Sequence, residues 1–129
     1  MRLLLDTHVV WWALDDATRL SATARDAITD ATNDLLVSPV TPWELATKHR
    51  IGRFPEAATL VATFTESVAK LGAGELPVAS RHALLAGRLE WAHRDPFDRM
   101  LAAQSILEGV RLVTADRAFA TLPGVEILW

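Results

Sequence analysis

The sequence contains no cysteine, and only 2 of its 13 basic residues are lysines. Without cysteine there is no disulfide framework, thiol nucleophile or zinc–thiolate site. No apolar run approaches the roughly 20 residues that a membrane-spanning helix needs. The carboxylate of Asp6 interrupts the first apolar stretch too early for a signal peptide. We therefore expect a cytoplasmic protein with no membrane partner.

The charge balance is slightly acidic, with a formal net charge of −3 and a pI near 5.7. This balance argues against a protein that coats nucleic acid by bulk charge, but it allows an enzyme that grips one phosphodiester locally. Hydrophobic residues make up 50% of the chain and charged residues 22%, which excludes disorder. A chain of 129 residues is expected to form one domain over 1–129.

Short apolar runs alternate with helical patterns along the chain. The predicted strands are 3–5, 35–37, 76–78, 112–113 and 125–128, and the predicted helices are 9–14, 22–31, 42–49, 57–71, 81–91 and 96–108. Strands that alternate with helices favour right-handed crossovers and a parallel sheet covered on both faces. The strand runs are almost uniformly apolar, as strands buried on both sides are. The pattern predicts a three-layer α/β fold.

Five acidic residues fall at the boundaries of these elements: Asp6, Glu44, Asp95, Asp98 and Asp116. Each has a purely structural interpretation, because Asp and Thr are common helix caps. Asp6 and Asp95 each precede a predicted helix, and residues 41–44, Thr-Pro-Trp-Glu, have the form of a capping box. A cap alone would therefore explain any one of these positions.

The predicted topology nevertheless brings four of these carboxylates together. In an open parallel sheet, ligands bind outside the carboxyl ends of the strands, and Asp6, Glu44, Asp98 and Asp116 are all expected at that edge. Clustered carboxylates raise one another's pKa unless a cation neutralises them. Oxygen ligands favour Mg²⁺ or Mn²⁺, which act on phosphate oxygens.

Two arginines follow acidic candidates directly: Arg99 comes after Asp98, and Arg117 comes after Asp116. A guanidinium group can bind a substrate phosphate with two parallel hydrogen bonds. A structural or solvated role is about equally compatible with either position. Both arginines are candidates for substrate contact.

Four short motifs resemble those of the PIN-domain family, and most closely its VapC-type toxins from bacterial toxin–antitoxin pairs. They are LLLDTH at 3–8, SPVTPWELATK at 38–48, HRDPFDRMLAAQ at 93–104 and TAD at 114–116. Each motif is weakly specific alone, but their order and spacing match over the whole chain. The resemblance implies a PIN-like fold with a five-stranded parallel sheet flanked by helices.

The resemblance also implies a Mg²⁺- or Mn²⁺-dependent endoribonuclease that cleaves RNA phosphodiesters with metal-activated water. Asp6, Glu44, Asp98 and Asp116 would be the catalytic acids and metal ligands, with Thr114 as a polar neighbour that could contact substrate. A cognate antitoxin and a homodimer are the expected protein partners. The alternative is a non-catalytic PIN-like scaffold that binds RNA or protein. Candidate faces for the antitoxin or the dimer are residues 11–12 and the predicted helix 57–71.

Overall fold

A central sheet of five parallel strands organises the computed structural model, which describes residues 1–129. The strands lie in the order β3-β2-β1-β4-β5. Their bounds are β1 (Arg2–Leu5), β2 (Asp34–Val37), β3 (Gly74–Glu75), β4 (Arg111–Val113) and β5 (Ile127–Leu128). Every pair of neighbouring strands is parallel. The predicted five-stranded parallel sheet is thereby confirmed.

Seven α-helices flank this sheet. They are α1 (Thr7–Asp15), α2 (Ala22–Thr29), α3 (Val40–Arg50), α4 (Ala58–Ala62), α5 (Phe64–Leu71), α6 (Ser80–Arg88) and α7 (Pro96–Glu108). Short 3-10 turns lie at Ala17–Arg19, Pro55–Ala57 and Arg117–Thr121. The longest helix has 13 residues, and none is long and apolar enough to cross a bilayer.

The central strand β1 supplies the core on both faces of the sheet. Leu3 and Leu5 pack into one hydrophobic cluster, and Leu4 packs into a second cluster together with Leu101 and Leu112. All three leucines of β1 are fully buried. Because alternate side chains of a strand point to opposite faces, an entirely apolar strand is the sequence signature of this position.

The order in which the chain adds strands reverses between β1 and β4, and this reversal determines where a site can form. From β1 the chain crosses to β2 and then β3 on one side, while β4 and β5 lie on the other side. The backbone N–H of Asp6 donates to the carbonyl of Val113 at 3.1 Å, so the carboxyl ends of β1 and β4 are level. A crevice at the carboxyl edge of such a reversal is the usual ligand site of an open α/β sheet.

Three local predictions are wrong. The third strand is Gly74–Glu75 and not 76–78, although Leu76 is buried and its N–H still bonds to the Val37 carbonyl. The predicted helix 57–71 is a 3-10 turn followed by α4 and α5, which are separated at Thr63. The capping box at 41–44 does not form, because α3 already begins at Val40.

Candidate metal centre

Asp6 and Thr114 stand at the carboxyl ends of β1 and β4, where the crevice opens. The Thr114 hydroxyl donates to Asp6 Oδ2 at 2.5 Å, and it accepts the backbone N–H of Asp116 at 3.0 Å. Asp6 is only 6% exposed, and its side chain caps no helix N–H. Burial raises the pKa of Asp6, and the charge of Glu44 raises it further. The side chain of Asp6 is therefore not a helix cap in the structure.

Glu44 enters the same region from the first turns of α3. It is 3% exposed, and both of its carboxylate oxygens are engaged. Oε1 accepts the hydroxyl of Thr7 at 2.6 Å, and Oε2 forms a salt bridge with Lys48. Thr7 Oγ1 also lies 3.3 Å from Thr41 Oγ1. Glu44 is thus a buried carboxylate held by the Thr7 hydroxyl and by Lys48, and it is not a helix cap.

Asp98 and Asp116 complete the acidic set from two further segments. Asp98 lies in the first turn of α7, and Asp116 is the third residue beyond β4 and accepts the N–H of Ala118 at 2.9 Å. One ligand atom from each of His93, Asp98 and Asp116 lies within 4.8 Å of the others, which is close enough to share an ion. Asp116 is exposed, so this side of the group is open to solvent.

The pKa of Asp98 shows most clearly how burial and neighbouring negative charges act on this group of acids. Burial, together with the negative charges of Asp6, Asp95 and Glu44, raises the pKa of Asp98 to about 7. A hydrogen bond with His93 Nε2 at 2.6 Å works in the opposite direction. An acid held partly protonated at neutral pH is a common mark of a functional site.

The donor set fits a hard divalent cation. Most of the available ligand atoms are carboxylate oxygens, and Mg²⁺ and Mn²⁺ prefer oxygen ligands. Burial first, and the negative charges of neighbouring acids after it, raise the pKa values of Asp6 and Asp98. A divalent cation bound at this edge would favour the charged form of both carboxylates.

Two substrate-contact candidates have structural roles instead. Arg99 donates to four backbone carbonyls, those of Ala86, Leu89, Trp91 and His93, at 2.6–3.0 Å. Its guanidinium group therefore ties the connection after α6 to α7, and the expectation of a phosphate contact is withdrawn. Thr114 is fully buried and committed to two acidic residues, so it positions the site rather than touching substrate.

The remaining sequence candidates lie where they were expected. Asp95 caps α7, because its Oδ1 accepts the N–H groups of Phe97 at 2.8 Å and Asp98 at 3.3 Å. The prediction that Asp95 is a helix cap is confirmed. Arg117 is exposed beside Asp116, and it stays a candidate for substrate contact.

Sequence reasoning missed three residues that hold the acids in place: Lys48, Thr7 and His93. Lys48 had a readable signal, since Glu44 and Lys48 have the i, i+4 spacing of a helical ion pair. Although burial lowers the pKa of Lys48, the hydrogen bond and charge of Glu44 outweigh it and the pKa is raised. No local pattern marks Thr7 or His93, because their partners belong to other elements.

A parallel sheet with this strand order and an acidic crevice between β1 and β4 defines an α/β protein with a candidate metal centre. The family model of the PIN domain matches residues 3–125, and the chain belongs to that family. The match includes all four predicted acids, from Asp6 to Asp116.

Relatives agree with this assignment. The chain is 33% identical over 118 residues to Ribonuclease VapC22 of Mycobacterium tuberculosis (strain ATCC 25618 / H37Rv), covering 89% of this chain and 87% of that protein. The crystal structure of DNA-bound VapBC from Salmonella typhimurium has a TM-score of 0.70 at 19% identity, over 98% of this chain and 96% of that one.

A further solved structure has the same fold. The structure of VapBC2 from Rickettsia felis, bound to a DNA fragment from their promoter, has a TM-score of 0.69 at 14% identity. That alignment covers 98% of this chain and 97% of the other. The sequence relative confirms the resemblance to VapC-type PIN proteins, and the two solved structures confirm the fold.

Proposed function

We propose that this protein is a Mg²⁺- or Mn²⁺-dependent endoribonuclease that acts as the toxin of a VapBC-type pair. The observation that carries the proposal is that acids from four segments lie near one another: after burial, the charges of Asp6 and Glu44 raise the pKa of Asp98, and Asp98 and Asp116 are close enough to share an ion. The high pKa of Asp98 supports it, because helix caps alone would not need to share a buried space.

The proposed division of labour rests on the positions of the acids at the carboxyl edge of the sheet and on the match to the PIN family. Asp6, Asp98 and Asp116 would hold the cation, and Glu44 would complete the site. The cation supplies Lewis-acid polarisation of the phosphodiester and lowers the pKa of a water nucleophile. Thr114 fixes the Asp6 carboxylate.

Positioning residues hold Asp98 and Glu44 in the same way. His93 holds Asp98 through Nε2, and Thr7 holds Glu44. Lys48 forms a salt bridge with Glu44. The acids are thus held by neighbouring residues, as a pre-organised catalytic site requires.

The toxin role rests on the relatives. A ribonuclease named VapC22 is a sequence relative, and VapBC assemblies are among the structural neighbours. We therefore propose a cognate antitoxin as a protein partner. A homodimer and a cytoplasmic location remain part of the proposal.

The decisive experiment is RNA cleavage by purified protein. Transfer RNA and ribosomal RNA are each incubated with wild type, Asp98→Asn and Asp26→Asn, with Mn²⁺ or with EDTA, and the fragments are resolved on a denaturing gel. Asp26 is an exposed residue of α2, so Asp26→Asn removes one carboxylate at a distance from the crevice.

We expect wild type and Asp26→Asn to produce discrete fragments with Mn²⁺ and none with EDTA. Asp98→Asn should lower the rate at least about a hundredfold, a loss typical of removing one group that stabilises the transition state. Cleavage that survives in EDTA or in Asp98→Asn would contradict the proposal. RNA binding without cleavage by wild type would favour the scaffold alternative.

A further inference from the structure

A small cavity of about 240 Å³ opens beside the acidic centre. It is lined by Thr7, His8, Trp11, Leu45, Lys48, Arg53 and Phe54. We propose that this cavity binds one unpaired nucleotide of a single-stranded RNA, with the base against the aromatic rings and the phosphate on Arg53. The proposal rests on the proposed ribonuclease function and locates the nucleotide next to the cleaved bond.

The cavity and the acidic centre share residues. Thr7 and Lys48 line the cavity, and both also bind the carboxylate of Glu44. His8 lines this cavity and also a second one that Asp6 and Asp116 border. A strand that lies across the acids would therefore place a neighbouring nucleotide at the cavity mouth.

Aromatic rings form one wall of the cavity. Trp11 and Phe54 meet edge to face, with ring centroids 5.0 Å apart and planes at 71°. His8 adds a third ring, whose centroid lies 6.4 Å from that of Phe54. Trp11 and Phe54 are only half-buried, so part of their surface faces the cavity. Stacking of bases on such rings is how single strands bind with little sequence preference.

Two basic residues, Lys48 and Arg53, also line the cavity. Lys48 is already paired with Glu44, whereas Arg53 is exposed and forms no salt bridge. Gly52 has a φ of +77°, and the Arg53 N–H donates back to the Lys48 carbonyl at 2.9 Å. This turn after α3 brings Arg53 to the cavity, where a free guanidinium group can bind a phosphate.

Size and charge select a nucleotide over a larger ligand. Pockets for drug-sized molecules measure about 300–1,000 Å³, and this cavity is smaller. The protein as a whole has a net negative charge, whereas Arg53 places an unpaired positive charge beside the aromatic wall. This local positive charge suits a phosphodiester. An acidic stretch of a protein partner is the competing occupant, and it lacks the flat bases that the rings would stack.

The test measures RNA binding without cleavage. A fluorescein-labelled eight-nucleotide single-stranded RNA is titrated in EDTA with wild type, Arg53→Gln and Arg50→Gln at several salt concentrations, and anisotropy is recorded. Arg50 is exposed at the end of α3 and does not line the cavity, so Arg50→Gln is the matched loss of one charge. Trp11→Leu and Trp11→Phe test the aromatic wall.

Arg53→Gln should weaken binding and reduce the slope of log K against log salt by about 0.7, the value for one phosphate contact on a single strand. Arg50→Gln should change neither quantity. Trp11→Leu should weaken binding at least about fivefold, the lower range for loss of one stacked base, and Trp11→Phe should restore most of it.

Equal affinities and slopes for Arg53→Gln, Arg50→Gln and wild type would overturn the proposal and leave the cavity to a protein partner. Because these titrations contain EDTA, their result is independent of cleavage. Wild-type cleavage with unchanged binding by Arg53→Gln would reject the subsite and leave the ribonuclease assignment standing. Thermal melting confirms that each variant is folded.

Discussion

Thr114 and Asp6 are 108 positions apart in the chain, and the hydroxyl of one donates to the carboxylate of the other at 2.5 Å. Each residue directly follows one of two adjacent parallel strands, β1 and β4. The same hydroxyl accepts the N–H of Asp116, so one oxygen connects two of the four acids. The threonine is fully buried and belongs to the framework of the site.

Replacing Thr114 with Val should test this framework. The change keeps the shape of the side chain but leaves the Asp116 N–H and the Asp6 carboxylate without their partner. We expect a loss of about 1–3 kcal/mol in the free energy of unfolding and weaker Mn²⁺ binding, measured by urea titration and calorimetry. Thr114→Ser should recover most of both quantities, and a Ser variant as impaired as Val would contradict the hydrogen-bond explanation.

The effect of metal on stability should distinguish a metal ligand, Asp98, from the helix cap Asp95 on the same helix, α7. In metal-free protein, Asp98→Ala should leave the melting temperature unchanged or raise it, because repulsion from Asp6 and Glu44 is relieved. Mn²⁺ should raise the melting temperature of wild type but not of Asp98→Ala. Differential scanning fluorimetry with and without Mn²⁺ measures both effects.

Asp95→Ala is the control for this experiment. Loss of the cap should cost about 1 kcal/mol at any metal concentration, and the rise with Mn²⁺ should persist. If Asp95→Ala and Asp98→Ala behave alike, the metal-ligand role of Asp98 is wrong.

The pH dependence of stability should report on Asp98. Its pKa is about 7 in the folded protein and 3.8 for an ordinary Asp, so between these values the folded state binds more protons than the unfolded state. The free energy of unfolding therefore falls as pH rises through this window. The effect of Asp6 has the same sign, whereas Asp16, Asp30 and Glu108 act oppositely because their pKa values are lowered.

Urea unfolding in EDTA at pH 4 to 7.5 isolates the contribution of Asp98. Asp98→Asn removes this titration, so the stability of wild type relative to Asp98→Asn should decline as pH rises. A difference that is constant across the range would show that Asp98 titrates normally. Mn²⁺ affinity of wild type should rise over the same range, because the ligand must lose its proton.

Arg99 should matter for stability rather than for substrate. Arg99→Gln removes a charged donor from four carbonyls around the connection between α6 and α7. We expect a loss of about 3 kcal/mol, since each bond from a charged group is worth about 1.5–3 kcal/mol and part of the solvation is regained. Arg94→Gln, at an exposed site nearby, should cost under about 0.5 kcal/mol in the same urea titration.

The buried strands were predictable, and the edge strand was not. Leu3, Leu4 and Leu5 are apolar because both faces of β1 are covered, and the sequence shows this directly. The edge strand β3 has only two residues, both exposed, so no apolar run marks it. The apolar residue Leu76 lies just beyond it, and Pro77, which has no N–H, follows.

Two helix boundaries were hidden for a different reason. The apolar stripe continues from α4 into α5, so periodicity does not reveal the break at Thr63, whose hydroxyl donates to the Thr59 carbonyl at 2.9 Å. At α3, the Ser38 hydroxyl accepts the Val40 N–H at 3.2 Å, and the helix starts before the apparent cap at Thr41. Proline is tolerated in a first helical turn, so Pro42 did not mark the start.

The positions of the acids followed from topology, while their supports did not. The carboxyl ends of parallel strands share one edge, so Asp6 and Asp116 were expected to approach each other if β1 and β4 were adjacent, and they are. Which neutral or basic residue touches each acid depends on side-chain packing between elements. The pairings of Thr7 with Glu44 and of His93 with Asp98 therefore required the structure.

The strand order has a consequence during synthesis on the ribosome. β1 emerges first, yet its neighbour β4 begins at Arg111, and Asp116 follows later still. The nascent chain must close a loop of more than a hundred residues before these acids can meet, a step that is slow because distant contacts carry a large entropic cost. For the proposed ribonuclease, the order of the strands would delay activity until the chain has been made at least through Asp116.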